Sequence, residues 1–132
     1  MQYGSFLGRS VREPIKLPEA IPIPDGRRCQ LDEIVLRSTE FTSLCPVTGQ
    51  PDFGEVIVSF IPRDLILESK SFKLYLWQFR EQGHFCEELA VRIADDLYEV
   101  LSPIDLTVTV VQAPRGGISI RAIARRKSSH ED

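Results

Sequence analysis

A cysteine followed by proline, Cys45-Pro46, stands seven residues before an aspartate, Asp52, in the segment F-T-S-L-C-P-V-T-G-Q-P-D-F-G from Phe41 to Gly54. A thiolate is the strongest side-chain nucleophile near neutral pH, and it attacks electrophilic carbons such as carbonyls, amidines and nitriles. A carboxylic acid kept neutral in a desolvated pocket can donate a proton to the anion that such an attack develops. The same two residues also fit a buried small hydrophobe and a turn-forming Asp. The chain has only two histidines, His84 and His130, and neither is near Cys45 in sequence, so no Cys–His pair is readable.

Two further clusters hold chemistry-bearing residues. Glu68-Ser69-Lys70-Ser71-Phe72-Lys73 opens a helical pattern, where Glu68 and Ser69 suit capping and where Lys70 and Lys73 at a helix start suit phosphate. Gly83-His84-Phe85-Cys86-Glu87-Glu88 opens a second helical pattern. Acids in a first turn complement the helix dipole, and a carboxylate there can also accept hydrogen bonds from the N–H edge of a purine-like base. Three cysteines, Cys29, Cys45 and Cys86, plus His84 show no C-x-x-C or H-x3-H spacing, so no metal site is expected.

The elements that must position these groups can be read from periodicity. Residues 1–28 carry Pro14, Pro18, Pro22 and Pro24 with little periodicity and are expected to form an extended arm on a neighbour or on the domain surface, closed by an Asp25-Gly26 turn. Cys29 to Phe41 reads as a first strand with imperfect alternation, and Glu55 to Ile61 as a second, ended by Pro62. Between them Pro46, Gly49, Pro51 and Gly54 make regular structure unlikely, so Phe41–Gly54 is expected to be a long loop. Phe72, Leu76 and Phe79 recur at helical spacing up to Gly83, and Phe85, Leu89, Ile93, Leu97 and Leu101 form one apolar stripe of a second helix. Ile104 to Val110 alternates as a strand, Ala113-Pro114-Arg115-Gly116-Gly117 turns the chain, and Ile118 to Arg125 alternates as the last strand. The order β-β-α-α-β-β predicts an α+β domain over residues 29–127, with a four-stranded antiparallel sheet, both helices on one face, and a polar tail at 128–132. No glycine-rich β-α turn is present, which excludes a Rossmann dinucleotide site.

Composition narrows the function classes. A chain of 132 residues is long enough for one domain with a real core, and 42% apolar with 27% charged residues is ordinary for a globular protein. A formal net charge of -3 gives no bulk electrostatic case for nucleic acid or acidic membranes, and the basic tract Arg121, Arg125, Arg126, Lys127 reads as a solvated strand end. No apolar run approaches a membrane span, no signal-peptide pattern opens the chain, and three widely spaced cysteines suit reduced thiols in a cytoplasm. The two open edges of a four-stranded sheet would be protected by joining subunits edge to edge.

Taken together, S-L-C-P-V-T-G-Q-P-D-F, E-S-K-S-F-K-L-Y from Glu68 to Tyr75, and P-R-G-G-I around Gly116 resemble the QueF family of nicotinamide-dependent nitrile reductases, over a stretch from about Phe41 to Ile120. The resemblance implies a T-fold (tunnelling fold) in the single-module branch, with stacked rings of subunits and sites at the subunit interfaces. It implies NADPH-dependent reduction of 7-cyano-7-deazaguanine to 7-aminomethyl-7-deazaguanine, a step of queuosine biosynthesis for tRNA modification, with no direct contact to nucleic acid or membrane. By position, Cys45 resembles the nucleophile that gives a covalent thioimide and Asp52 the proton donor. Leu67, Glu68, Ser69 and Glu87 resemble substrate-contacting positions, and Ser69, Lys70, Arg115 and Gly116 resemble NADPH-contacting ones, with Lys73 a further candidate for the phosphate-rich end.

One departure stands out: the family commonly has His-Glu where this chain has Cys86-Glu87. Cys86 therefore occupies a substrate-contacting histidine position, and a second thiol near Cys45 would permit a reversible, protective disulfide. Two other functions stay open on the same fold. One is an amidine-forming relative that makes the thioimide without hydride transfer, a class that lacks the E-S-K-S-F-K-L-Y signature. The other is a module that binds a purine or pterin without turnover.

Overall fold

The computed structural model describes residues 13–24 and 30–129, so the Asp25-Gly26 turn, Cys29, His130 and most of the expected arm lie outside the described residues. Four long strands, β2 (Ile34–Leu44), β3 (Pro51–Ile61), β5 (Asp105–Arg115) and β6 (Ile118–Lys127), pair antiparallel in the order β2-β3-β5-β6. Between β3 and β5 lie α1 (Ser69–Trp77), a 3-10 turn (Gln78–Glu81) and α2 (Cys86–Leu101). Two short strands add to the expected order: β1 (Ala20–Pro22) pairs with β4 (Leu65–Leu67), placing Ile21 in the interior.

Alternation decides which face of the sheet is buried. Val56, Val58 and Phe60 of β3 and Leu106, Val108 and Val110 of β5 point inward under the helices, while Ile57, Ser59, Thr107 and Thr109 remain partly exposed on the other face. Leu89, Ile93, Leu97 and Leu101 of α2 are buried against β5 and β6, and each such side chain contributes about 1.5–3 kcal/mol relative to exposure. Phe85 departs from the expected stripe. It is the N-cap residue of α2 and is 57% exposed, and Cys86, one position on, takes the inward place. Phe72, Tyr75, Leu76 and Phe79 close the core over β2, with the Tyr75 hydroxyl donating to Asp96 Oδ2 at 2.6 Å.

The expected long loop is mostly strand. Leu44 pairs with Pro51, Ser43 with Asp52 and Phe41 with Gly54, so only Cys45–Gln50 connects the two strands. Pro51 is tolerated because it is the first residue of β3. Gly54 is there because β5 passes so close that a Cβ would overlap the Val111 carbonyl oxygen, not because the strand breaks.

Two bulges set the geometry of this end of the sheet. In β2 the register shifts between Ser38 and Phe41, where Thr39 and Glu40 face the single residue Glu55 of β3. In β5 it shifts between Gln112 and Arg115, where Ala113 and Pro114 face the single residue Ser119 of β6. Each extra residue reverses the in-out parity of the rest of its strand. Ile34 and Leu36 pack toward the core before the first bulge, whereas Phe41 and Ser43 do so after it. Continued by one step, that parity carries Cys45 to the helix side of the sheet, and the second bulge does the same for Arg115.

Candidate active site

Cys45 opens a tight turn. Its N–H donates to the Gln50 carbonyl at 2.8 Å, and its own carbonyl accepts from the Gly49 N–H at 2.9 Å, with Gly49 in the left-handed region at φ 70. The strand end behind it is pinned by the segment after the 3-10 turn. Leu44 donates to Gln82 O at 3.0 Å and accepts from His84 N–H at 3.2 Å. The thiol is held at about 7, below its ordinary 9.0. The largest cause is the Thr48 side chain, followed by the Thr48 and Val47 backbone N–H groups, with Arg115 a further donor.

Asp52 lies directly across the strand pair from Ser43, and only 7% of its side chain is exposed. Arg115 Nη1 donates to its Oδ1 at 2.6 Å. The guanidinium also engages Cys45, and both partners raise its affinity for its proton, Cys45 as the larger cause. Arg115 therefore stands between thiol and carboxylate, held at the end of β5 just before Gly116 and Gly117, whose φ values of 60 and 80 make the turn.

Cys86 faces the same end of the core. Its Sγ donates to the Val110 carbonyl at 3.3 Å, and burial, then the Glu87 charge, push the thiol up. With Asp52, Gly54 and Gln112 it lines a cleft of about 10 Å³, room for one water at most. Cys45 and Cys86 are both free thiols, and the buried one is engaged with the backbone. Glu87 is exposed in the first turn of α2. His84 precedes the helix, with Nε2 2.8 Å from Gln82 Oε1 and the ring edge-on to Phe79.

The remaining sequence-predicted residues sit elsewhere. Leu67 is buried in β4. Glu68 is 4% exposed and caps α1, its carboxylate accepting from Lys70 N–H at 2.9 Å and Ser71 N–H at 2.8 Å. Those two backbone donors of the helix start are thereby taken. Ser69 is exposed and lines a groove of about 600 Å³ between α1 and β2, together with Arg37, Lys73, Trp77 and Arg80. From Ser69 to the segment that meets Leu44, α1 and the 3-10 turn run about 20 Å. One chain thus brings Cys45, Asp52, Cys86 and Arg115 together at one end of the sheet and holds Leu67, Glu68, Ser69 and Lys70 apart from them.

Sequence reasoning missed Thr48 as the principal partner of the thiol. The signal was the spacing, because residues at i and i+3 of a turn face each other. It also assigned Arg115 to cofactor contact alone and missed its contact with the two catalytic candidates.

Residues 51–131 match the family described as QueF-like protein. The chain is 41% identical over 119 residues to the NADPH-dependent 7-cyano-7-deazaguanine reductase of Thermomicrobium roseum, covering 90% of this chain and 91% of that protein. It is 45% identical over 124 residues to the protein of the same name from Syntrophus aciditrophicus, covering 93% and 86%, and 40% identical over 116 residues to that of Granulibacter bethesdensis, covering 86% and 76%. Among solved structures, the archaeosine synthase QueF-Like in the apo form superposes with a TM-score of 0.69 at 26% identity, covering 76% of this chain and 98% of that one. That likeness extends the T-fold to the present sheet and its two helices. With the family match over residues 51–131 and 41% identity to a relative covered over 91% of its length, this chain belongs to the QueF family.

Proposed function

We infer that the chain reduces the nitrile of 7-cyano-7-deazaguanine to the aminomethyl group with NADPH, the reaction for which its relatives are named. The observation that carries this reading is a thiol held at about 7 that shares one guanidinium with a buried carboxylate. Near neutral pH such a thiol is substantially thiolate and can add to a nitrile carbon. Cys45 forms the carbon–sulfur bond of a thioimide, and Asp52 delivers the proton that the nitrile nitrogen takes up. Covalent capture activates the nitrile and retains the reactive imine-level product until it is reduced.

NADPH, when bound, supplies the hydride for both reduction steps. Ser69, Lys70, Arg115 and Gly116 would hold it, and Lys73 and Arg80 of the groove beside Ser69 suit its phosphates, Arg80 lying over the Trp77 ring and Arg37 being paired with Glu55. Leu67, Glu68, Ser69, Cys86 and Glu87 would hold the deazaguanine, with Glu87 accepting from its N–H edge. Leu67 and Glu68 precede α1 and Ser69 and Lys70 open it, whereas Cys45, Cys86 and Arg115 lie beyond its 3-10 extension, which supports a site completed between copies in a ring. Such an enzyme works on a free base in the cytoplasm, upstream of tRNA, and touches no nucleic acid.

Incubation of the protein with the nitrile tests the reading. The reductase gives a new absorption from the thioimide, then oxidation of NADPH. An amidine-former gives the adduct without oxidation, and a non-catalytic binder gives neither. Oxidation of NADPH by Cys45→Ala in the presence of the nitrile would refute the mechanism.

A further inference from the structure

We propose that Arg115 is the shared counter-ion of Cys45 and Asp52, a positioning residue through which one positive charge serves whichever of the two is anionic while a single proton passes between them. The proposal rests on the reductase reading and extends it to a step that precedes any hydride. Three observations support it. Arg115 Nη1 is 2.6 Å from Asp52 Oδ1, and the same guanidinium engages the Cys45 thiol. Asp52 is almost fully buried, so a charge there needs a partner. Finally, the bulge in β5 lies directly before Arg115, between Gln112 and Arg115, so its reversal of parity falls on that residue.

The proton inventory explains why sharing matters. The addition starts from the form in which Asp52 is the carboxylate that accepts from Arg115 and Cys45 carries S–H, a form that coexists with the thiolate near pH 7. Transfer of this proton yields the thiolate and the carboxylic acid, the pair the addition needs. The sulfur lone pair then forms the C–S bond, and one C–N π bond of the nitrile breaks. Its electron pair takes the proton from Asp52, which returns to the carboxylate. The thiol has added across the triple bond with no oxidant, no reductant and no net proton uptake. Thiol, carboxyl and guanidinium together are neutral both before and after the transfer, so the buried site does not hold an uncompensated anion. A planar fork reaches two acceptors at once, which a lysine ammonium on a flexible stem does less well.

The test compares Arg115→Gln and Arg115→Lys with the parent chain by two measurements made without NADPH. One is the pH dependence of Cys45 alkylation by iodoacetamide, followed by peptide mass spectrometry so that the other cysteines do not count. The other is the rate at which the 7-cyano-7-deazaguanine adduct forms in a single turnover. Arg115→Gln should move the alkylation midpoint upward and slow adduct formation about tenfold or more, whereas Arg115→Lys, with its charge retained, should recover the alkylation profile to within about threefold and only part of the adduct rate. A folded Arg115→Gln that alters neither measurement and only raises KM for NADPH would assign Arg115 to the cofactor alone and overturn the proposal. Equal loss in the Gln and Lys variants on both measurements would overturn it as well. Should the parent form no adduct, the reductase reading fails, and the alkylation profiles still decide whether Arg115 serves the thiol.

Discussion

Arg115 Nη1 donates to Asp52 Oδ1 across 2.6 Å, joining two residues 63 positions apart in the chain. The contact needs β5 beside β3 and an extra residue in β5 before Arg115. It is the reason a thiol, a carboxylate and a cation share one end of the sheet, where substitutions and pH should each leave a distinct mark.

The Cys45 thiol should titrate well below an ordinary thiol. Its ionised form is favoured by Thr48, the turn N–H groups and Arg115, so thiolate is present above about pH 7 and is lost below it. Alkylation of native Cys45 should therefore fall about tenfold per pH unit below 7 and level off above 8. A midpoint near 9 would contradict the turn geometry.

Thr48→Val keeps the shape of the side chain and removes the hydroxyl that donates to the thiol. Alkylation at pH 7 should slow by about threefold or more, since a charge-assisted hydrogen bond is lost. The residue is exposed, so the melting temperature should be unchanged. Comparing the two measurements separates tuning of the thiol from damage to the turn.

Glu68 separates capping from substrate contact. Glu68→Ala removes both hydrogen bonds to the α1 start and should cost about 1–2 kcal/mol in urea denaturation. Glu68→Gln keeps one oxygen as an acceptor and should lose less than half of that. If Glu68→Gln nevertheless raises KM for the deazaguanine strongly, its carboxylate meets the substrate as well as the helix.

Gly54→Ala should be severe. The added methyl would overlap the Val111 carbonyl, a backbone atom that cannot move without disturbing the β3–β5 ladder. A loss of about 2–3 kcal/mol in denaturation is expected, or failure to accumulate folded protein. A neutral result would mean that the strands part here more easily than their pairing implies.

Much of this molecule is legible along the chain. The apolar run from Val56 to Phe60 and the alternation from Leu106 to Val110 mark two inner strands, and the i, i+4 stripe from Leu89 to Leu101 marks α2, because burial of one face imposes the period of the element. The Cys45, Asp52 and Glu68–Tyr75 motifs also stand in the sequence, since they are local strings. The segment Phe41–Gly54 reads as a loop because proline and glycine usually break strands, and only pairing with β5 reveals that Gly54 is a close approach.

What the tertiary structure alone decided is which side chains meet. A bulge is a property of two paired strands, and a single chain read in order does not display it. Two such bulges reverse the parity of β2 and β5 and carry Cys45 and Arg115 to the face where Asp52 lies. The same holds for separation: Ser69 and Cys45 belong to one set of motifs, yet α1 and its 3-10 extension, about 20 Å of helix, lie between Ser69 and the segment that meets Leu44. Sequence specifies the chemistry because residue types are local, whereas register and packing specify the site because contacts are not.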